Sequence, residues 1–179
     1  IVRTPVDPDR TFFDDPLRIL RGIRFATLFS FAIAPATIES MQRNAHRLSI
    51  ISAERISDEI IKTLGAKAPG RGFFLMEETG VLKLILPEVA GLRERKSDHS
   101  CKELFDHTMQ VLDNLARTTK DPYLRLAALL HDIGKPRTFR VTDGKVSFHR
   151  HEFVGERMAS RICERLRLPA DRTQTIGTL

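Results

Sequence analysis

The chain has 179 residues, of which 41% are hydrophobic and 29% charged, with a formal net charge of +6. This is the balance of a soluble globular protein, long enough for one large or two small domains. No apolar run reaches the roughly 18 residues of a membrane span, no charged-then-apolar segment opens the chain as a secretory signal would, and Cys101 and Cys163 lie outside any C-x-x-C pattern, which excludes a disulfide framework and points to a reducing cytoplasm.

The opening residues, IVRTPVDPDRTFFDD, read as a connector, and a start at Ile1 leads us to expect a segment of a longer protein. Pro16 then suits a first helical position behind Asp14 and Asp15, and the helix runs through LRILRGIRFATLF. Leu17, Leu20 and Ile23 form its apolar strip, while Arg18, Arg21 and Arg24 share a broad second face. A solvated basic face is one reading of that face, with Asp14 and Arg18 at i, i+4 as an ion pair. Pro35 and Thr37 open a helix through IESMQRNAHRL. Ser52 is the expected N-cap of AERISDEIIKTL, and Gly65 its C′ residue. GFFLMEET is a short helix closed by Gly80, and VLKLIL stops before Pro87.

The polar stretch 91–100, GLRERKSDHS, is read as a linker between a first unit (1–90) and a second (101–179). CKELFDHTMQVLDNLART presents a helical apolar face. Asp121 and Pro122 start the next helix, YLRLAALLHD. TFRVTDGKVSF (138–148) alternates apolar and polar residues around Asp143-Gly144, a hairpin signal. HEFVGERMASRICERLRL is a further helix, and DRTQTIGTL reads as a helix start cut short. The fold class is therefore all-α with one small hairpin. The last third, 121–179, holds eleven basic and seven acidic residues, an excess that permits a polyanionic partner such as RNA.

Five of six histidines fall between 99 and 151. His107 sits mid-helix, His131 and Asp132 end the next helix, and His151 follows the hairpin. Imidazole and carboxylate suit Zn, Mn, Fe, Ni or Mg. Such a metal polarises a phosphoryl oxygen or lowers the pKa of a bound water to about 7. Lys135 would then face phosphate, and Gly134 would permit close backbone approach. His46 and His99 are read as ordinary surface or core residues, and His149 is left open.

The run from FDHTMQVLDNLA through LRLAALLHDIGKP to FHRHEFVGERMASRICERLRL resembles the HD superfamily of metal-dependent phosphohydrolases. That resemblance implies His107, His131 and Asp132 as metal ligands, with His151 a further ligand or phosphate contact. It also implies a distal aspartate, for which Asp171 stands too early. FFDDPLRILRGIRFATLFSFAI, ISAERISDEIIKTL and GFFLMEETGVLKLILPEV together resemble class II tRNA nucleotidyltransferases, the CCA-adding relatives of bacterial poly(A) polymerases. The resemblance implies that Asp15 and Arg18 read the incoming base of ATP or CTP. Arg21 and Arg24 would hold phosphate or brace that pair, and Glu54 and Arg55 would form ion pairs that organise the neck. It implies tRNA and nucleoside triphosphates as partners, and a catalytic head with Mg that these residues do not contain. Asp7-Pro8-Asp9 is read as a loop, not a catalytic D-x-D. A poly(A) polymerase, an HD phosphodiesterase and a purely RNA-gripping module are the alternatives. Oligomeric state is not legible.

Overall fold

The structure is a computed structural model, which describes residues 1–93 and 102–177. Its helices are α1 (Pro8–Asp14), α2 (Leu17–Leu28), α3 (Pro35–Asn44), α4 (Ala53–Leu64), α5 (Gly70–Glu78), α6 (Val81–Ile85), α7 (Pro87–Ala90), α8 (Lys102–Thr118), α9 (Pro122–Leu130), α10 (Lys135–Thr138), α11 (His151–Arg165) and α12 (Ala170–Gly177). The hairpin expected at 138–148 is β1 (Arg140–Thr142) paired antiparallel with β2 (Lys145–Ser147), turning through Asp143 and Gly144, both at positive φ. All-α with one hairpin is thus the observed class.

The expected connector contains a helix. Pro8 takes the first position of α1, and the Asp7 side chain caps it by accepting from the Arg10 amide at 2.8 Å. What makes this seven-residue helix stable is tertiary. Asp9 accepts from Ser40 Oγ at 2.6 Å, Asn44 Nδ2 at 2.8 Å and Arg43 Nη2 at 2.8 Å, all on α3. These bonds, Arg43's first, hold the Asp9 carboxyl below its ordinary range. Asp7-Pro8-Asp9 is therefore a cap and an anchor.

Local signals place most other boundaries. Asp121 caps α9 through the Tyr123 amide at 2.8 Å, and Gly80 takes φ +74 between α5 and α6. Ser52 holds the N-cap position of α4 without a side-chain capping bond, and Gly65 is its C-cap in right-handed conformation, not a left-handed C′ residue. Gly72 lets α5 sit tightly on α2 and α4, since a Cβ there would lie 2.6 Å from Thr63 Cγ2 and 3.0 Å from Thr27 Oγ1.

One continuous core runs from Phe12 to Ile176, so the first and second units share their apolar interior. Of the expected linker, Gly91–Arg93 form a 3₁₀ turn with Leu92 fully buried, and 94–100 lie outside the described residues, as does Cys101. Cys163 is buried and free. Polar contacts cross the junction at several points. Asp113 on α8 accepts from the Gly70 amide at 2.8 Å. Arg165 on α11 donates twice to Glu88, each bond 2.7 Å, and Arg167 pairs with Glu54 at 2.7 Å.

The central junction contact is Arg125 on α9, which is 3% exposed. Its guanidinium donates to the carbonyls of Leu64 and Ala66 at the end of α4, and of Ala116 and Thr119 at the end of α8. Helix C-termini leave their last carbonyls without helical partners, and one planar donor fork satisfies two such ends. Burial pushes the Arg125 pKa down. Replacing Arg125 with Met orphans those carbonyls, at about 1–3 kcal/mol for each one left buried. The expected loss is about 3 kcal/mol or more by urea unfolding. Lys, a point donor, is expected to recover less than half of it.

Candidate functional site

The first candidate site is built by α8, α9 and the turn after α9. The apolar run of α9 buries Leu126, Ala127, Leu129 and Leu130, which fixes the helix and delivers His131 at its C-cap. One ligand atom each from His107, His131 and Asp132 lies within 4.8 Å of the others. The two imidazole rings sit 5.9 Å apart by centroid. His131 Nδ1 donates to the Ala128 carbonyl at 2.7 Å, which leaves Nε2 facing Asp132 Oδ2 at 3.2 Å. With Nδ1 spent on that carbonyl, Nε2 is the atom left to face a metal.

Asp132 is 2% exposed. Burial alone would raise its pKa. Hydrogen bonds from His131 and from Lys135, whose Nζ lies 2.7 Å from Oδ2, instead bring it down to about 2. The same carboxylate raises the His131 pKa. A buried carboxylate demands positive charge close by. Two borderline nitrogen donors and one hard oxygen donor, converging at the surface end of a rigid helix, fit a first-row divalent ion.

Lys135 faces Asp132 rather than open solvent. His151 starts α11 and lies outside the converging trio. Its Nδ1 donates to the Phe148 carbonyl at 2.9 Å and lies 3.3 Å from Glu152 Oε2. What joins α11 to the site is backbone. A Cβ on Gly134 would collide with the His151 carbonyl and come within 2.8 Å of the Gly155 amide. The glycine lets the turn and the helix touch, as expected from its place beside His131-Asp132.

The second candidate site lies on α2 and α4. Asp15 is met by Arg18 Nε at 3.7 Å, Arg21 Nη1 at 3.8 Å and Arg55 Nη2 at 3.8 Å. The carboxylate paired with Arg18 is Asp15, not Asp14. Behind this group stands Glu59, 2% exposed. It accepts from Arg24 Nε at 2.7 Å and Arg21 Nε at 3.4 Å. Arg21 and Arg24 are thus braced by a carboxylate that our reading of the sequence did not single out. Its signal was present: Glu59 follows Ile56 by three residues and precedes Ile60, within the apolar stripe of α4. Arg55 joins the Asp15 group, whereas Glu54 reaches across to Arg167.

Residues 30–92 match the family model described as a probable RNA and SrmB-binding site of polymerase A, and residues 104–178 match the HD domain. Among similar proteins, an A-adding tRNA nucleotidyltransferase of Deinococcus radiodurans is 39% identical over 167 residues, covering 87% of this chain and 38% of its own length. A multifunctional CCA protein of Chromobacterium violaceum is 39% identical over 166 residues, covering 89% and 40%. One of Dechloromonas aromatica is 37% identical over 166 residues, with the same coverage. The chain therefore spans about 40% of the length of the curated relatives it matches.

Two substitutions test this geometry. Gly134→Ala forces α11 away from the turn and is expected to cost about 1–3 kcal/mol in thermal unfolding, the range for overpacking. Gly144→Ala, where nothing lies within 4 Å of the added Cβ, is expected to cost less, through its positive φ alone.

Proposed function

We propose that this chain, an HD-domain protein homologous to A-adding and CCA-adding tRNA nucleotidyltransferases, is the base-reading and RNA-binding part of such an enzyme joined to a metal-dependent phosphohydrolase centre. The transfer chemistry, which adds CMP and AMP from CTP and ATP to a tRNA 3′ end, belongs to residues other than these. The carrying observation is the Asp15 group. A carboxylate acceptor and the Arg18 donor fork lie side by side on one partly exposed edge, with Arg21 locked behind them by buried Glu59. An acceptor beside a donor fork matches the hydrogen-bonding edge of a base. Arg24, tied to Glu59, holds the helix in register, and Arg21 is left to neutralise phosphate or to support Asp15.

At the HD centre, His107, His131 and Asp132 would hold one divalent ion of the Mg, Mn, Ni, Zn or Fe class. When bound, that ion supplies Lewis acidity toward a phosphoester and an acidified water. The chain's own contribution is to fix the two imidazoles and keep Asp132 ionised. Lys135, now 2.7 Å from Asp132 Oδ2, would be the cation available to an incoming phosphate. His151 Nε2 stands at the rim as a phosphate contact. No helix among the described residues is long and apolar enough to cross a membrane, and a cytoplasmic setting fits these roles.

A second reading, poly(A) or single-A addition, is favoured by the polymerase A description of the first family model and by the A-adding relative. Extension of tRNA by the natural protein separates them. CMP incorporation from CTP is expected, and extension from ATP alone would reject CCA addition. Asp15→Ala and Arg18→Ala are each expected to blur CTP-over-ATP selection more than they slow overall transfer. Metal analysis of the purified chain is expected to find one divalent ion. His131→Ala and Asp132→Ala should each weaken its binding by more than about 100-fold. No metal in any preparation would remove the hydrolase half of the proposal.

A further inference from the structure

The outer face of α11 carries a second feature that neither candidate site uses. Arg157 and Arg161 stand four residues apart on one face of α11, and Arg150, which precedes its first turn, lines a cleft together with Arg157. All three are exposed, and none makes a side-chain ion pair or hydrogen bond among the described residues. Glu152, Glu156 and Glu164, the carboxylates nearest in sequence, do not engage them, and Glu152 faces His151 instead. Most other arginines of the fold are tied down, to Asp9, Asp15, Glu54, Glu59, Glu77, Glu88 or backbone carbonyls. Between the three arginines lies Phe153, 60% exposed. Arg150, Phe153, Val154 and Arg157 line an open cleft of about 450 Å³.

An unpaired guanidinium stripe recognises phosphates. A bare phenyl ring between its members adds a stacking surface, which a phosphate-only ligand has no use for. Together they are the two components of a single-strand nucleic-acid platform. We propose that the outer face of α11 binds a short single-stranded RNA segment, with phosphates on Arg150, Arg157 and Arg161 and a base on Phe153. The stripe is about 16 Å long at 1.5 Å per residue, enough for roughly five stacked nucleotides at 3.4 Å each. It begins at Arg150, beside His151, whose backbone touches Gly134 in the turn that carries His131 and Asp132. The head of the stripe therefore lies next in sequence to the residue that packs on the turn carrying His131 and Asp132. Arg150 itself holds a left-handed backbone, φ 60, which turns the chain out of the hairpin and sets its side chain at the head of the stripe.

The proposal names RNA on the strength of the RNA-binding reading above, and the experiment separates the two. A fluorescein-labelled single-stranded oligoribonucleotide of about twelve nucleotides is titrated with the purified chain over a salt series. Arg157→Ser with Arg161→Ser is expected to weaken binding at least about tenfold at low salt. The same pair is expected to flatten the log–log salt slope by about 1.4, the counterion release of two phosphates that are no longer neutralised. Phe153→Ala is expected to weaken binding about fivefold without changing the slope. Lys120→Ser with Lys145→Ser, exposed charges outside both α11 and residues 30–92, is expected to leave binding unchanged. All four substituted arginine and lysine positions are exposed, and circular dichroism checks the fold. If the chain binds the oligonucleotide but the α11 variants bind as the wild type does, the stripe is overturned and the RNA-binding reading stands. The stripe also falls if the lysine pair weakens binding as much as the arginine pair. No binding at all overturns both. Capture by phosphatidylglycerol vesicles through α11, without RNA binding, would assign the face to a membrane surface instead.

Discussion

One buried arginine ties together the helices that carry both candidate sites. Arg125 lies in the first turn of α9, six residues before His131, and its guanidinium closes the carbonyl ends of α4 and α8. Glu59, which braces Arg21 and Arg24, lies five residues before Leu64 on α4. His107 is carried by α8 itself. The helices that carry the Asp15 group and the His107–His131–Asp132 cluster are therefore joined by one planar donor fork, beside the shared core and the Arg165–Glu88 and Arg167–Glu54 pairs, and among the described residues no carboxylate shares its charge. An apolar side chain could pack in the same space, but it could not answer four carbonyls drawn from two helix ends.

The two buried carboxylates solve the same electrostatic problem in different ways. Glu59 and Asp132 are each 2% exposed, and each is held by two nitrogen-bearing side chains. Both cations on Glu59 come from another helix, so the interaction joins α2 to α4 and its loss would release two arginines at once. Both partners of Asp132 come from its own turn, an imidazole at the adjacent residue and an ammonium three residues on. A local arrangement of that kind can be exchanged without moving a helix. This is why Glu59 reads as a brace and Asp132 as a ligand, although burial and charge are alike.

Features encoded by adjacent residues were legible in the sequence. Asp121-Pro122, Asp143-Gly144 and Gly80 act through local backbone geometry, and the structure places all three where local rules put them. Helix α1 was not legible, because seven residues among acidic and proline positions have no helical stability of their own. The Asp9 contacts to α3 supply it, and those residues lie more than thirty positions away. Glu59 and Arg125 escape a reading of the sequence for one reason. Each is a charged residue inside an apolar stripe, and only the fold reveals what it faces.

The position of His151 shows the limit of reading ligands from their order along a chain. Order places His107, His131-Asp132 and His151 on successive segments, and three of these four side chains converge. The fourth is held back by the backbone contact that brings its helix close. For α11 to touch Gly134, the His151 carbonyl must point into the turn, and its ring then swings toward the preceding hairpin. Nδ1 is spent on the Phe148 carbonyl, so whatever His151 contributes falls to Nε2 at the rim. A glycine that permits close approach thereby accompanies the exclusion of one histidine from a cluster that the other two histidines form with Asp132.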